Sequence, residues 1–79
     1  MKIKVLFFGA TADAAGTRDV EIDADPGTGV SEVFAGLLTA YPNLKEHKLL
    51  LAVNQEYAGG GETLSDGDEL AIFTPVSGG

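Results

Sequence analysis

Residues able to do side-chain chemistry are few in this chain. Its 79 residues hold one histidine, His47, set in a lysine-flanked stretch, and three serines, Ser31, Ser65 and Ser77, none with a histidine near it in sequence. A Ser–His–Asp constellation would have to be assembled in space around that one imidazole. Cysteine is absent, which removes disulfides, thiolate zinc sites and a cysteine nucleophile together. His47 has no carboxylates spaced to complete a metal site. Asp66 and Asp68 fall in Ser65-Asp66-Gly67-Asp68 and read as turn residues rather than a general acid/base pair. The same stretch lacks the alternating oxygen ligands and closing glutamate of a calcium loop. Gly59-Gly60-Gly61 reads as a flexible loop, because no helix start follows it to make an anion cradle. What remains is the carboxyl group of Gly79, carried on Gly78-Gly79. Glycine has no Cβ, so such a tail is narrow and conformationally free. A carboxylate that must thread into another protein's active site needs both properties.

The elements ahead of this tail form an α+β pattern. Lys2 to Phe8 is rich in Ile, Val and Phe and predicts a strand ended by Gly9. Ala10 to Ala15 predicts one helical turn capped by Gly16. Arg18 to Ile22 alternates polar and apolar and predicts a second strand, joined to the first as a long-looped hairpin. After the Asp25-Pro26-Gly27 turn, Val30, Val33, Phe34, Leu37, Leu38 and Tyr41 repeat at helical period, with Thr28 as the expected cap and Pro42 as the stop. Asn43 to Lys48 reads as a polar connection. Leu49 to Val53 predicts a strand inside the sheet, Asn54-Gln55 a turn, Glu56 to Ala58 a short strand and Glu69 to Thr74 the last strand. The expected architecture is one domain, residues 1–79: a mixed sheet with one main helix across one face and a tail at 75–79.

Alternation along the strands leaves an apolar surplus. Ile3, Val5 and Phe7 share one face of the first strand, and Leu6 and Phe8 the other. Leu70 and Ile72 share one face of the last strand, and Ala71 and Phe73 the other. One helix covers one face. With Ile3, Val5, Leu70 and Ile72 beneath it, Leu6, Phe8 and Phe73 lie on the other face, either covered by loops or, in the favoured reading, open as a partner-docking surface.

Charge narrows the choice of partner. Twelve acidic and five basic residues give a formal net charge of −7, which disfavours nucleic acid and anionic membranes and fits either a charge that serves solubility alone or a positively charged protein partner. The opening Met1 to Phe8 is too short an apolar run for a secretory signal and is broken by Lys4. No stretch reaches the length of a membrane span.

Three segments carry a family resemblance: Lys4-Val5-Leu6-Phe7-Phe8-Gly9-Ala10, Leu51-Ala52-Val53-Asn54-Gln55, and the sixteen residues from Leu64 through Asp66-Gly67-Asp68 and Phe73-Thr74-Pro75-Val76 to Gly79. Together they resemble the molybdopterin synthase small subunits, sulfur carriers of ubiquitin-like β-grasp fold. The resemblance spans the chain and is strongest in its closing segment. It implies a cycle. An ATP-dependent adenylating enzyme activates the Gly79 carboxylate as an acyl-adenylate. Sulfur from a cysteine desulfurase or rhodanese-like donor then displaces the adenylate and leaves a thiocarboxylate. The carrier docks on the large synthase subunit in a heterotetramer, where the thiocarboxylate supplies dithiolene sulfur to a pterin precursor. An unactivated carboxylate is inert, and adenylation gives it a leaving group.

The resemblance also implies site residues: Gly79 and Gly78 at the reacting end, Phe8, Tyr57 and Phe73 on the docking face, and Pro75, Val76 and Ser77 along the tail. It implies that the chain itself binds no cofactor or metal, ATP belonging to the partner enzyme, and that it works in the cytoplasm. Members of the family commonly carry two prolines before the tail, where this chain has Thr74-Pro75. Three other readings stay open from the residues: a sulfur carrier for thiamine or another thiolated product, a ubiquitin-like modifier joined to lysines through Gly79, and a binding module whose tail has no role.

Overall fold

The computed structural model describes residues 1–75. Strand β1 (Lys2–Phe7) leads through α1 (Ala10–Ala15) to β2 (Asp19–Asp23). Helix α2 (Val30–Ala40) and a 3-10 helix (Pro42–Glu46) follow, then β3 (Leu50–Val53), β4 (Glu56–Tyr57) and β5 (Glu69–Phe73). The strands lie in the order β2-β1-β5-β3-β4. Strand β1 runs parallel to β5 and antiparallel to β2, and β3 is antiparallel to both β5 and β4. This is the mixed sheet with one main helix that the sequence predicts.

The alternation along β1 and β5 decides which face α2 covers. Ile3, Val5, Phe7, Leu70 and Ile72 are buried against Val30, Val33 and Leu37 of α2, and Leu44 and Leu64 close the ends of the core. Each large aliphatic side chain removed from water in this way contributes about 1.5–3 kcal/mol before chain entropy is counted. Phe7 also meets Tyr41 edge-on, with ring centroids 5.5 Å apart. Gly16 ends α1 in the left-handed region (φ 74°), its N–H donating to the Ala12 carbonyl.

Three local expectations are revised. Thr28 does not cap α2: its hydroxyl donates to the Asp25 carbonyl (2.6 Å), and Gly29 takes the cap position in extended conformation. The helix start is satisfied from outside instead. Val30 N–H donates to the Glu62 carbonyl (2.9 Å) and Leu64 N–H to the Thr28 carbonyl (3.0 Å), so a main-chain bridge does the work of a side-chain cap. The polar connection after Pro42 is a 3-10 helix whose Leu44 is fully buried. The Gly59-Gly60-Gly61 loop is held rather than free. Glu62 accepts from Gly59 N–H and Gly60 N–H, both at 2.8 Å, and the Ser31 hydroxyl donates to the Gly60 carbonyl. Those backbone donors, Gly59 first, hold the Glu62 carboxyl below its ordinary range. No helix among the described residues is long and apolar enough to cross a membrane.

Candidate functional site

The sheet face opposite α2 is assembled from four strands. Register places Leu6 of β1 opposite Ala71 of β5, Ala71 opposite Ala52 of β3, and Ala52 opposite Tyr57 of β4. Leu50 pairs with Phe73 one step along. Because facing residues of paired strands project from the same side, these residues form one apolar surface. Phe8 and Tyr57 stand highest on it, 51% and 80% exposed, and are the large hydrophobic residues most open to water among those described. The Tyr57 and Phe73 rings lie 5.8 Å apart at 50°. The three aromatic residues expected on a docking face therefore share one side of the sheet, with small Ala52 and Ala71 as the floor.

Phe8, Ala71 and Phe73 line an open groove with Gly9, Gln55, Glu69, Thr74 and Pro75. Pro75 on this groove places the root of the tail beside the aromatic patch. Val76, Ser77, Gly78 and Gly79 lie outside the described residues.

Two hydrogen-bond arrangements fix this face, and neither was legible as functional in the sequence. Thr11, on α1, is the buried polar side chain among the described residues. Its hydroxyl proton is shared between the Phe8 carbonyl (2.7 Å) and the Ile72 carbonyl (2.9 Å). Phe8 N–H also donates to the Ile72 carbonyl (3.0 Å). Thr11 thus ties the residue carrying the Phe8 ring to the end of β5, from which the tail departs.

The second arrangement holds the β3–β4 turn. Asn54 and Gln55 both have positive φ, 49° and 71°, the geometry a tight two-residue hairpin requires. Asn54 N–H donates to the Glu69 carbonyl (2.9 Å), and Asn54 Oδ1 accepts from Glu69 N–H (3.0 Å). Asn54 Nδ2 donates to Asp68 Oδ1 (3.0 Å), and Ser65 N–H donates to Asp68 Oδ2 (2.7 Å). The Asn54 amide and then the Ser65 N–H hold the Asp68 carboxyl below the usual carboxylate range. Asp66 Oδ1 accepts from Lys2 N–H (2.6 Å). Both aspartates of the turn are therefore engaged with backbone or amide donors. Among the described residues no group of three or more His, Asp or Glu side chains could hold a metal ion.

Known proteins share this fold. The ThiS family profile matches residues 5–79. The chain belongs to the ThiS family. A molybdopterin synthase sulfur carrier subunit of Chlamydomonas reinhardtii is 36% identical, with both chains fully covered. The crystal structure of SAMP1 from Haloferax volcanii superposes with a TM-score of 0.87 at 32% identity, again over the whole of both chains. A chain of the Helicobacter pylori complex of subunits 1 and 2 of molybdopterin-converting factor gives a TM-score of 0.74 at 28% identity, with both chains fully covered. The fold is the ubiquitin-like β-grasp.

Proposed function

We propose that this chain is a sulfur carrier of molybdenum cofactor biosynthesis, the small subunit of molybdopterin synthase. The observation that carries the reading is the position of Pro75 on the rim of the aromatic groove formed by Phe8 and Phe73, in a chain of the ThiS family. A partner seated on that groove meets the tail where it leaves the sheet. Gly78 and Gly79 are the residues that the partner's active site takes up, and Val76 and Ser77 lie between them and Pro75 in the sequence. In the first half of the cycle the partner is an adenylating enzyme. One Gly79 carboxylate oxygen attacks the α-phosphorus of ATP, giving the acyl-adenylate and pyrophosphate. A persulfide of a desulfurase or rhodanese donor then attacks the acyl carbon and expels AMP. Reductive cleavage of the resulting acyl disulfide by a thiol leaves the thiocarboxylate. In the second half the partner is the large synthase subunit, in a heterotetramer, and the sulfur passes to the pterin precursor. The likeness to a two-subunit complex supports the large-subunit partner. That the cycle consumes ATP supports the cytoplasm as its compartment.

Alanine in place of Phe73 tests the docking half. Truncating a central aromatic anchor weakens binding to the large subunit by about 2 kcal/mol or more, read by titration calorimetry with the fold checked by circular dichroism. Unchanged affinity in a folded variant removes Phe73 from the interface.

The likeness to SAMP1 favours one second reading, a modifier joined to lysines through Gly79. Both readings begin with adenylation and part afterwards. Peptide mapping of cell protein for lysines bearing the Gly78-Gly79 remnant distinguishes them.

A further inference from the structure

Away from the aromatic face, a groove of about 850 Å³ runs between β2 and α2. Its floor is apolar, from Val20 and Ile22 on β2 and Val33 and Leu37 on α2, and Asp25 and Glu32 stand on its rim. It is open because the helix presents Gly36 and Ala40 there. A Cβ built on Gly36 meets nothing within 4 Å. Strand β2 is also the edge of the sheet. Phe7 N–H donates to the Arg18 carbonyl and Ala24 N–H to the Met1 carbonyl. With the register of the hairpin, these bonds turn the main chain of Val20 and Ile22 towards β1, and that of Glu21 and Asp23 outward. The Asp19 carbonyl already accepts the Thr17 hydroxyl (3.0 Å).

We propose that this edge and groove bind an extended segment of a basic partner protein, added as a further strand beside β2. The alternation of β2 dictates the ligand's chemistry. Asp19, Glu21 and Asp23 are exposed on the face away from α2, while Val20 and Ile22 face the groove. A strand paired through the outward groups of Glu21 and Asp23 has side chains opposite those two residues on the acidic face. The intervening side chain, opposite Ile22, enters the groove. The segment that fits alternates Lys or Arg with Val, Ile or Leu. Asp23 is already paired with Lys2 at 2.7 Å; Asp19 and Glu21 form no ion pair within 4 Å among the described residues, and Lys4 stands across the strand pair from Glu21, so the least compensated carboxylate is Asp19, at the start of the strand. A second copy of the chain fits poorly, because pairing β2 with itself sets these carboxylates against their own copies.

The probe is a short amidated peptide alternating Lys and Val, titrated into the full chain and followed by amide NMR shifts. The expected result is saturable binding, with shifts at Asp19–Asp23 and at Val33, Gly36 and Leu37. Gly36→Leu adds a side chain to the groove at a position where the Cβ itself meets nothing within 4 Å, and is expected to abolish binding. Glu21→Lys leaves the groove open and is expected to weaken binding about tenfold through charge reversal. A peptide alternating Glu and Val is expected not to bind, and Phe73→Ala to leave binding unchanged. The proposal is overturned by shifts centred on Phe8, Tyr57 and Phe73, by equal binding of the Glu peptide, by Gly36→Leu binding as well as the unmodified chain, by dimerisation through β2, or by no binding at all.

Discussion

Thr11 carries more of the aromatic sheet face than its place in an alanine-rich turn suggests. Its hydroxyl joins the Phe8 and Ile72 carbonyls, but each carbonyl keeps a second donor, Thr11 N–H for Phe8 and Phe8 N–H for Ile72. Thr11→Val preserves shape and leaves no carbonyl unbonded. The expected loss is therefore that of one net hydrogen bond, about 1 kcal/mol, read as a lower midpoint in urea with an unchanged slope. Asp68 gives a pH signature. Folding lowers its pKa, so the unfolded chain takes up the proton first. Its stabilising contribution is present above the ordinary carboxylate value of about 3.9 and is lost as pH falls through the lower folded value. Asp68→Asn is expected to flatten the acid limb of the stability curve while leaving the pH 7 fold intact, measured by thermal melts across pH.

Individual elements show how far the residues speak for themselves. The period-two pattern of Ile3, Val5 and Phe7 against Leu6 and Phe8 assigns both faces of β1 correctly, because burial selects one parity and a one-residue slip would reverse every side chain. The stripe from Val30 to Tyr41 places α2 for the same kind of reason, at period 3.6. Asn54-Gln55 predicts a turn, and the structure adds its cost. Asparagine tolerates positive φ, whereas glutamine at φ 71° does not gain from it. Gln55→Gly relieves this backbone and is expected to stabilise the protein by about 1 kcal/mol, seen as a higher melting temperature. Other local features were hidden. Leu44 sits among Pro42, Asn43, Lys45 and Glu46, where no periodicity marks it as core. The Glu62 clamp on Gly59 and Gly60 depends on a carboxylate whose targets are backbone groups, which sequence does not distinguish from solvent.

At the scale of the whole molecule, one sheet presents two different faces. The face under α2 holds the fold, leaving the other free to display Phe8, Tyr57 and Phe73 beside Pro75. The parallel pairing of β1 with β5 brings the first and last strands together at the sheet's centre, so the tail root shares a groove with Phe8. Pairing order is a property of the closed fold, which is why strand-by-strand reading found the patch but not the placement of Pro75 against it. Because the buried residues from Ile3 to Ile72 already form one continuous cluster, removal of Gly79 is expected to leave the melting temperature unchanged while abolishing sulfur loading.

The most direct test of the carrier reading is the intact mass of the chain after incubation with ATP, an adenylating enzyme and a sulfur donor. The expected result is a gain matching exchange of one oxygen for one sulfur, absent when Gly79 is deleted. No change of mass with an enzyme set that loads a known carrier, or the same gain in the chain lacking Gly79, would contradict the assignment of Gly79 as the sulfur-bearing residue.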